Sequence, residues 1–412
     1  MAKILISAYA CEPNKGSEPE VGWQWSVNIA KRHEIWILTK ENNRNTIEQF
    51  RTNHPEDIPW ENMHFLFVHL PKWLVFWKKG NRGMRPYYYL WANKAFRIAK
   101  KVHEKECFDL VHSITFVSLT QPCFLYKLNI PFIWTVAGGE NISKSVGYKM
   151  APGEYLYEFI RSLGQFKAVH SVRIKAALKK ASLILATTEE TADLIPKEFR
   201  DKVEITSAIG IDKKRPIKEN DTSDNIKILL SGKFVYLKGV RIGIDAILKV
   251  IDLFDNVYVT ILGNGPYENE YKEKCRKYIG NKIWFVDKVS HEKMIEFYQE
   301  HDFLVNTALR DSGCLVAMEA MSIGLPIVCV NSGGVRAMTN DDIAIRIEPQ
   351  NYDNLVDEMA KGIEYLIKNP KEREEMGKRA YEFINQKYLY ENKCKWLLNK
   401  YDEILLRNYE QN

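Results

Sequence analysis

One pattern, occurring twice, constrains this chain most. Short apolar runs of strand length alternate with longer stretches of helical period. The first set is "KILISAYA", "EIWILT", "MHFLFVHL", "FDLVHSI", "PFIWTVA" and "ASLILATT". The second is "IKILLSG", "VYVTILG", "KIWFVD", "DFLVNT", "PIVCV" and "IAIRIEP". Runs so continuous in Ile, Leu, Val and Phe read as strands buried on both faces, and the helical stretches between them supply the cover. That predicts two parallel, doubly wound α/β sheets. A length of 412 residues suits two hydrophobic cores better than one. The polar stretch "DKKRPIKENDTSDN", which starts at Asp212, has a proline and no period, and reads as a linker. The expected division is therefore a domain over 1–211, a linker over 212–225, a second domain over 226–385, and a charged, aromatic helical segment over 386–412.

Composition narrows the partners. A formal charge of +6 over this length is mild and favours anionic ligands without pointing to nucleic acid. No run of eighteen apolar residues is present, so no spanning helix is expected, and the N-terminus reads as a first strand rather than a leader. Seven cysteines, an odd number with no CxxC pair, suit a reduced, cytoplasmic setting without structural zinc.

Chemistry concentrates where strands give way to helices, the place where open α/β sheets hold ligands. In "SGKFVYLKG", Gly232 lets backbone approach a ligand, and Lys233 and Lys238 can neutralise a diphosphate; a turn with two solvated lysines is the plain alternative. Gly263 and Gly265 in "ILGNGPYENEY" are a tight turn or a point of close approach. Gly16 and Ser17 in "NKGSEPEVGW" are the equivalent feature of the first domain, expected opposite the two lysines. "DSGCLVAMEAMSIGLP" sets Asp311 and Glu319 eight positions apart. Glu319 lies among Val316, Ala317, Met318, Ala320 and Met321, and a carboxylate in such company needs partners. The helix start near Ser312, Gly313, Cys314 and Leu315 offers N–H groups and a positive end.

These motifs resemble those of family 4 glycosyltransferases, retaining enzymes of the GT-B fold in which two Rossmann-like domains face each other across a deep cleft. The resemblance spans nearly the whole chain and is strongest over 226–349. "DSGCLVAMEAMSIGLP" matches the family's paired-acid motif, with Asp311 in the first acidic place. Lys233 and Lys238 stand where the family has an Arg and a Lys, and Gly333–Gly334 match its glycine turn. The resemblance implies that Glu319 binds the ribose of a nucleotide, Asp311 the donor sugar, and the two lysines the diphosphate. It implies a UDP- or GDP-type sugar donor, no metal or other cofactor, and a C-terminal helix that crosses back to the first domain. Asp311 and Glu319 are no hydrolase-type acid pair, because eight helical residues rise about 12 Å whereas such pairs lie roughly 5 Å apart. The family's histidine after "PFIWTVAGGE" has no match: Ala137, Gly138 and Gly139 stand there. His112 and Glu140 are the nearby candidates, His112 being expected either to enter the cleft for proton handling or to serve structurally.

On the acceptor side, with which Glu140 is also grouped, "LPKWLVFWKKGNRGMRPYYYLW" mixes Trp73 and Trp77 with Lys78, Lys79, Arg82 and Arg85. That mixture suits a polyprenyl-linked or glycan acceptor, or peripheral contact with the inner face of a membrane; the alternative is a helix packed beneath the first sheet. Transfer of a sugar to a glycan or lipid-linked acceptor is the leading reading. A 2-epimerase of the same architecture, or a non-catalytic nucleotide- or glycan-binding protein, are the others.

Overall fold

The computed structural model describes every residue except 79, 81, 117, 122, 143–145, 147–149, 220–223 and 412. The strands, in chain order, are β1 (Lys3–Ser7), β2 (Glu34–Lys40), β3 (Met63–Val68), β4 (Leu110–Ser113), β5 (Phe132–Val136), β6 (Leu183–Ala186), β7 (Val203–Ile205), β8 (Ile226–Ser231), β9 (Val257–Leu262), β10 (Ile283–Val286), β11 (Phe303–Asn306), β12 (Ile327–Val330) and β13 (Ile345–Ile347). They form two all-parallel sheets, ordered β3-β2-β1-β4-β5-β6-β7 and β10-β9-β8-β11-β12-β13. The twelve apolar runs are all strands. The thirteenth, β7, is not legible in the sequence because three residues flanked by charge leave no readable period.

The chain divides into two compact units. Unit 1 comprises Met1–Gly139, Ser162–Asp212 and Tyr390–Asn412; unit 2 comprises Glu140–Arg161 and Lys213–Leu389. Residues 140–161, assigned to the first domain on sequence, therefore group with the second sheet. Four of the fourteen residues read as a linker, 220–223, lie outside the described residues.

In unit 1 the pleat of β1 sorts its side chains. Ile4 and Ile6 point to one face, where Trp23 and Trp25 of the helix Ser17–Ala30 and Leu397 and Tyr401 of the helix Tyr390–Gln411 complete the core. Leu5 points to the other, against Tyr88, Trp91, Ala95 and Ala99 of the helix Met84–Glu106. Unit 2 has one large core in which the helices Val240–Val250 and Tyr352–Lys368 cover β8, β9, β11 and β12. Each buried Leu, Ile or Val contributes about 1.5–3 kcal/mol, and the apolar runs are so long because both sheet faces need them.

His112 belongs to this packing, not to a ligand site. It is fully buried on β4; Nδ1 meets Tyr401 Oη at 2.8 Å, Nε2 meets Thr135 Oγ1 at 2.9 Å, and Trp25 lies edge-on to the ring. Burial pushes its pKa down to about 3. The expectation that it enters a cleft is thus corrected: β4 alternates, and position 112 faces the C-terminal helix.

Glycines set how closely the loops of unit 2 stack. A Cβ on Gly263 would lie 2.0 Å from Gly232 O, and one on Gly239 would lie 2.1 Å from Thr307 O; both residues have positive φ, 147° and 60°. Gly265 (φ 154°) is pressed likewise against the Phe234 backbone.

Two outcomes follow from this packing. His112 is neutral when folded and has a pKa near 6.5 when unfolded, so the unfolded chain binds the extra proton. Its contribution is complete above about pH 6.5 and is lost as pH falls toward the folded value of about 3. Urea unfolding between pH 4.5 and 7.5 is expected to show a slope of up to about 1.4 kcal/mol per pH unit from this site, and His112→Gln flattens it by one proton. Gly263→Ala is expected to destabilise unit 2 by about 1–3 kcal/mol through overpacking. Gly16→Ala, at φ 62° and ψ 174° with nothing within 4 Å of an added Cβ, meets no neighbour but forces a backbone region essentially restricted to glycine, at about 1–3 kcal/mol. Thermal denaturation of the two variants compares them.

Candidate functional site

The strand order of unit 2 creates one place where neighbouring strands send their following loops apart. The chain steps outward from β8 to β9 and β10, then returns to lay β11 on the other side of β8. Between the carboxyl ends of β8 and β11 lies the switch point of the sheet. Lys238 follows β8, Asp311 follows β11, and the two side chains form an ion pair there.

Asp311 is held from several directions. Its Oδ1 accepts from the N–H of Gly313 at 3.1 Å and of Cys314 at 3.0 Å, while Oδ2 takes Lys238 Nζ. Burial opposes its charge, but Lys238 and these N–H groups outweigh that and hold its pKa below the ordinary carboxylate value. Burial likewise opposes the charge of Lys238, and Asp311 more than compensates, leaving that pKa raised. Both groups are therefore charged at neutral pH. Lys233 is exposed on the same loop, beside Gly232.

The turn after Asp311 is tight. Cys314 has φ 48° and is buried, with Asn306 Nδ2 3.2 Å from its Sγ; burial pushes the thiol up to about 12, so it is no nucleophile. The helix Leu315–Ser322 starts here, and its first intrahelical bond runs from Ala317 N–H to Cys314 O. The N–H groups of Leu315 and Val316 precede that bond and point out of the positive end. Those of Gly313 and Cys314, expected from sequence to face a ligand, are spent on Asp311. Ser312, between Asp311 and Gly313, is half-buried. The glycine pair packs onto this turn: Gly334 N–H donates to Asp311 O at 2.7 Å, and a Cβ on Gly333 would lie 2.3 Å from that oxygen.

Glu319, on the same helix, is 5% exposed. The buried Tyr298 hydroxyl donates to its Oε2 at 3.2 Å, and the half-exposed His291 ring approaches its Oε1 at 3.3 Å. Sequence reasoning missed both partners; Tyr298 and His291 lie on the preceding helix, His291–Glu300, with no motif to mark them. Glu140, grouped on sequence with the acceptor side, is buried next to Gly333, with its Cγ 3.4 Å from the position a Cβ would take there. Among the described residues no group of three or more His, Cys, Asp or Glu is placed to hold a metal ion.

Unit 1 places the remaining candidates. Gly16 (φ 62°) and Ser17 (φ 52°) open the helix Ser17–Ala30 after the carboxyl end of β1. Gly138 (φ 97°) and Gly139 form a turn whose second glycine would clash with Thr191 were it to carry a Cβ. Of the aromatic and basic stretch, Leu74, Val75, Tyr88 and Trp91 pack against the first sheet, as the plain alternative expected, while Trp73 and Phe76 stay 75% and 79% exposed. Trp77 closes back on Gly83, Lys78 lies 4.9 Å over the Tyr87 ring, and Arg82 and Arg85 are exposed. Lys79 is outside the described residues. No described helix is long and apolar enough to cross a membrane.

Residues 211–383 match the family model described as glycosyl transferases group 1. The chain is 27% identical over 179 residues to a component of the phosphatidylinositol N-acetylglucosaminyltransferase of Arabidopsis thaliana, covering 43% of this chain and 40% of that one. It is 24% identical over 253 residues to an uncharacterised glycosyltransferase of Methanocaldococcus jannaschii, covering 58% and 61%. The matches thus span about half the length of these curated relatives. Among solved structures, Anabaena Alr3699/HepE in complex with UDP and glucose superposes with a TM-score of 0.62 at 15% identity, covering 98% of this chain and 100% of that one. A glycosyltransferase from Rickettsia africae gives 0.64 at 16%, covering 98% of each. The two all-parallel, Rossmann-like sheets and the superposition on these structures over nearly the whole chain give it the GT-B fold, and within that fold residues 211–383 resemble the glycosyl transferases group 1.

Proposed function

We propose that the protein is a retaining, metal-independent glycosyltransferase that moves a sugar from a nucleoside-diphosphate sugar to a glycan or lipid-linked acceptor. The observation that carries this reading is the charged pair Lys238–Asp311 at the switch point of unit 2, with Glu319 buried eight positions further on. A donor has three parts, and the site offers three kinds of partner in matching order. Glu319 is an acceptor for ribose hydroxyls. Lys238 and Lys233 supply positive charge for the diphosphate, with the N–H groups of Leu315 and Val316 nearby. Asp311 is an acceptor for sugar hydroxyls.

Breaking the glycosidic bond puts negative charge on the departing diphosphate. Fixed cations and N–H groups aimed there stabilise that charge most in the transition state. His112 is locked in the core and takes no part in proton handling; the departing phosphate oxygen, on the face where the acceptor arrives, takes the acceptor's proton. A 2-epimerase needs an acid/base pair at the sugar ring, and the burial of His112 removes the residue best suited to it. UDP or GDP is the expected nucleotide, and the UDP complex of the Anabaena protein favours UDP as the first to try.

For the acceptor, the exposed Trp73 and Phe76 beside Lys72, Arg82 and Arg85 combine apolar anchors with positive charge, as an interface with anionic lipid requires. A relative named for phosphatidylinositol agrees with a lipid-linked acceptor.

A thermal-shift screen of nucleoside diphosphates and their sugars is expected to find one nucleotide that stabilises the protein; no shift with any of them overturns the reading. Glu319→Ala should abolish most of that shift. Lys238→Ala should lower kcat by about 10²–10³, the scale of losing one charge-stabilising donor; it also leaves the half-buried Asp311 without its cation and should lower the melting temperature, so kcat is measured well below that temperature. Normal turnover by Lys238→Ala would remove it from the diphosphate. In flotation with vesicles of phosphatidylglycerol, Trp73→Ser/Phe76→Ser should reduce binding, and pure phosphatidylcholine vesicles should bind weakly; binding indifferent to both the variant and the lipid charge sinks the membrane reading.

A further inference from the structure

The loops that carry Lys238 and Asp311 share a third carboxylate, one that no motif marks. Glu158 lies on the helix Pro152–Val169, in the part that groups with unit 2. Its Oε1 and Oε2 accept from Arg310 Nη1 at 2.6 and 2.5 Å, and Oε1 also accepts from the Tyr236 hydroxyl at 2.6 Å. Arg310 immediately precedes Asp311, and Tyr236 stands two residues before Lys238 in the short turn Tyr236–Lys238. One turn earlier on the same helix, Glu154 accepts from the Tyr267 hydroxyl, on the loop after β9. Two carboxylates one helical turn apart thus gather the loops that follow β8, β9 and β11.

The contact is shielded from water. Glu158 and Arg310 expose 12% and 14% of their side chains, so the pair is screened far less than a surface pair. The loops already touch through backbone, with the N–H groups of Leu309 and Arg310 both donating to Leu237 O. Those bonds hold the bases of the loops. Glu158 adds what they cannot: it holds both loops at once through side chains, Arg310 on the one and Tyr236 on the other.

We infer that Glu158 is a positioning residue that sets the Lys238–Asp311 pair through Arg310 and Tyr236, and so tunes recognition of the diphosphate without touching it. This rests on the donor-site reading above. The readout is the affinity difference between nucleoside mono- and diphosphates, because the misplacement of Lys238 weakens only contacts to the outer phosphate.

The experiment is calorimetric titration of UMP, UDP, GMP and GDP into the full-length protein, its Glu158→Gln variant and its Tyr236→Phe variant. The wild type is expected to favour one diphosphate over its monophosphate. Glu158→Gln should weaken that diphosphate about tenfold, the scale of one charge-assisted hydrogen bond, and leave the monophosphate within about twofold. Tyr236→Phe, which removes one hydrogen bond and no charge, should give a smaller loss in the same direction and serves if Glu158→Gln does not fold. Mono- and diphosphate affinities that fall together, or a preference unchanged in both variants, overturn the inference while the donor-site reading stands. A wild type without diphosphate preference overturns both.

Discussion

An all-parallel sheet forbids hairpins. Every strand must return through a crossover, and each crossover lays a helix across a sheet face, so both faces are dry and every loop of chemical interest leaves at the same edge. In unit 2 that rule places the loops after β8, β9, β11 and β12 along one edge, and the order β10-β9-β8-β11-β12-β13 opens the gap between β8 and β11. The site follows from this constraint. Lys238 and Asp311 are 73 residues apart in the chain and meet because their strands are neighbours. Gly239, Gly263, Gly265, Gly333 and Gly334 keep those loops close enough for side chains to share partners.

Charge at this edge is arranged by unequal freedom. Asp311 is fixed by two N–H groups, by Lys238 and by a backbone oxygen that receives Gly334. Lys238 reaches it on a four-carbon stem, and Lys233 is exposed and carries its charge on an equally long one. An exposed pair contributes about 1 kcal/mol at most. A half-buried one does more harm when broken from one side, because the orphaned charge keeps its desolvation without its partner. Under the proposed function, an arriving diphosphate would give Lys238 a second anion to share while Asp311 keeps its N–H donors, and the still ionised carboxylate would accept from sugar hydroxyls.

The sequence was legible where a rule of local period applied. Twelve strands showed because strands buried on both faces must be apolar throughout; β7 did not, being three residues at a sheet edge. The spacing of Asp311 and Glu319 was legible because both lie in one short segment after one strand. Illegible were the partners that come from elsewhere in the chain. Tyr298 on Glu319, Tyr401 on His112 and Glu158 on Arg310 are 21, 289 and 152 residues away in sequence. None has a spacing that a linear pattern could reveal. His112 was misjudged for the same reason: its strand position was clear, but the ring's surroundings depend on a helix that begins at Tyr390.

The same distinction explains why residues 140–161 read as part of the first domain. They follow β5 directly, and the chain re-enters the first sheet at β6, so sequence order puts them in unit 1. Their contacts lie with unit 2 instead, through the buried Val146 in its core and through carboxylates on its loops. Glu154 meets Tyr267, Glu158 meets Arg310 and Tyr236, and Glu140 lies against Gly333. Three carboxylates from one segment thus meet the loops after β8, β9, β11 and β12, and Glu158 alone meets the two that carry Lys238 and Asp311. A segment that belongs to one sheet by chain order is thus anchored to the other by the buried Val146, while Glu158 adds to that apolar packing a charged bond of narrower geometry.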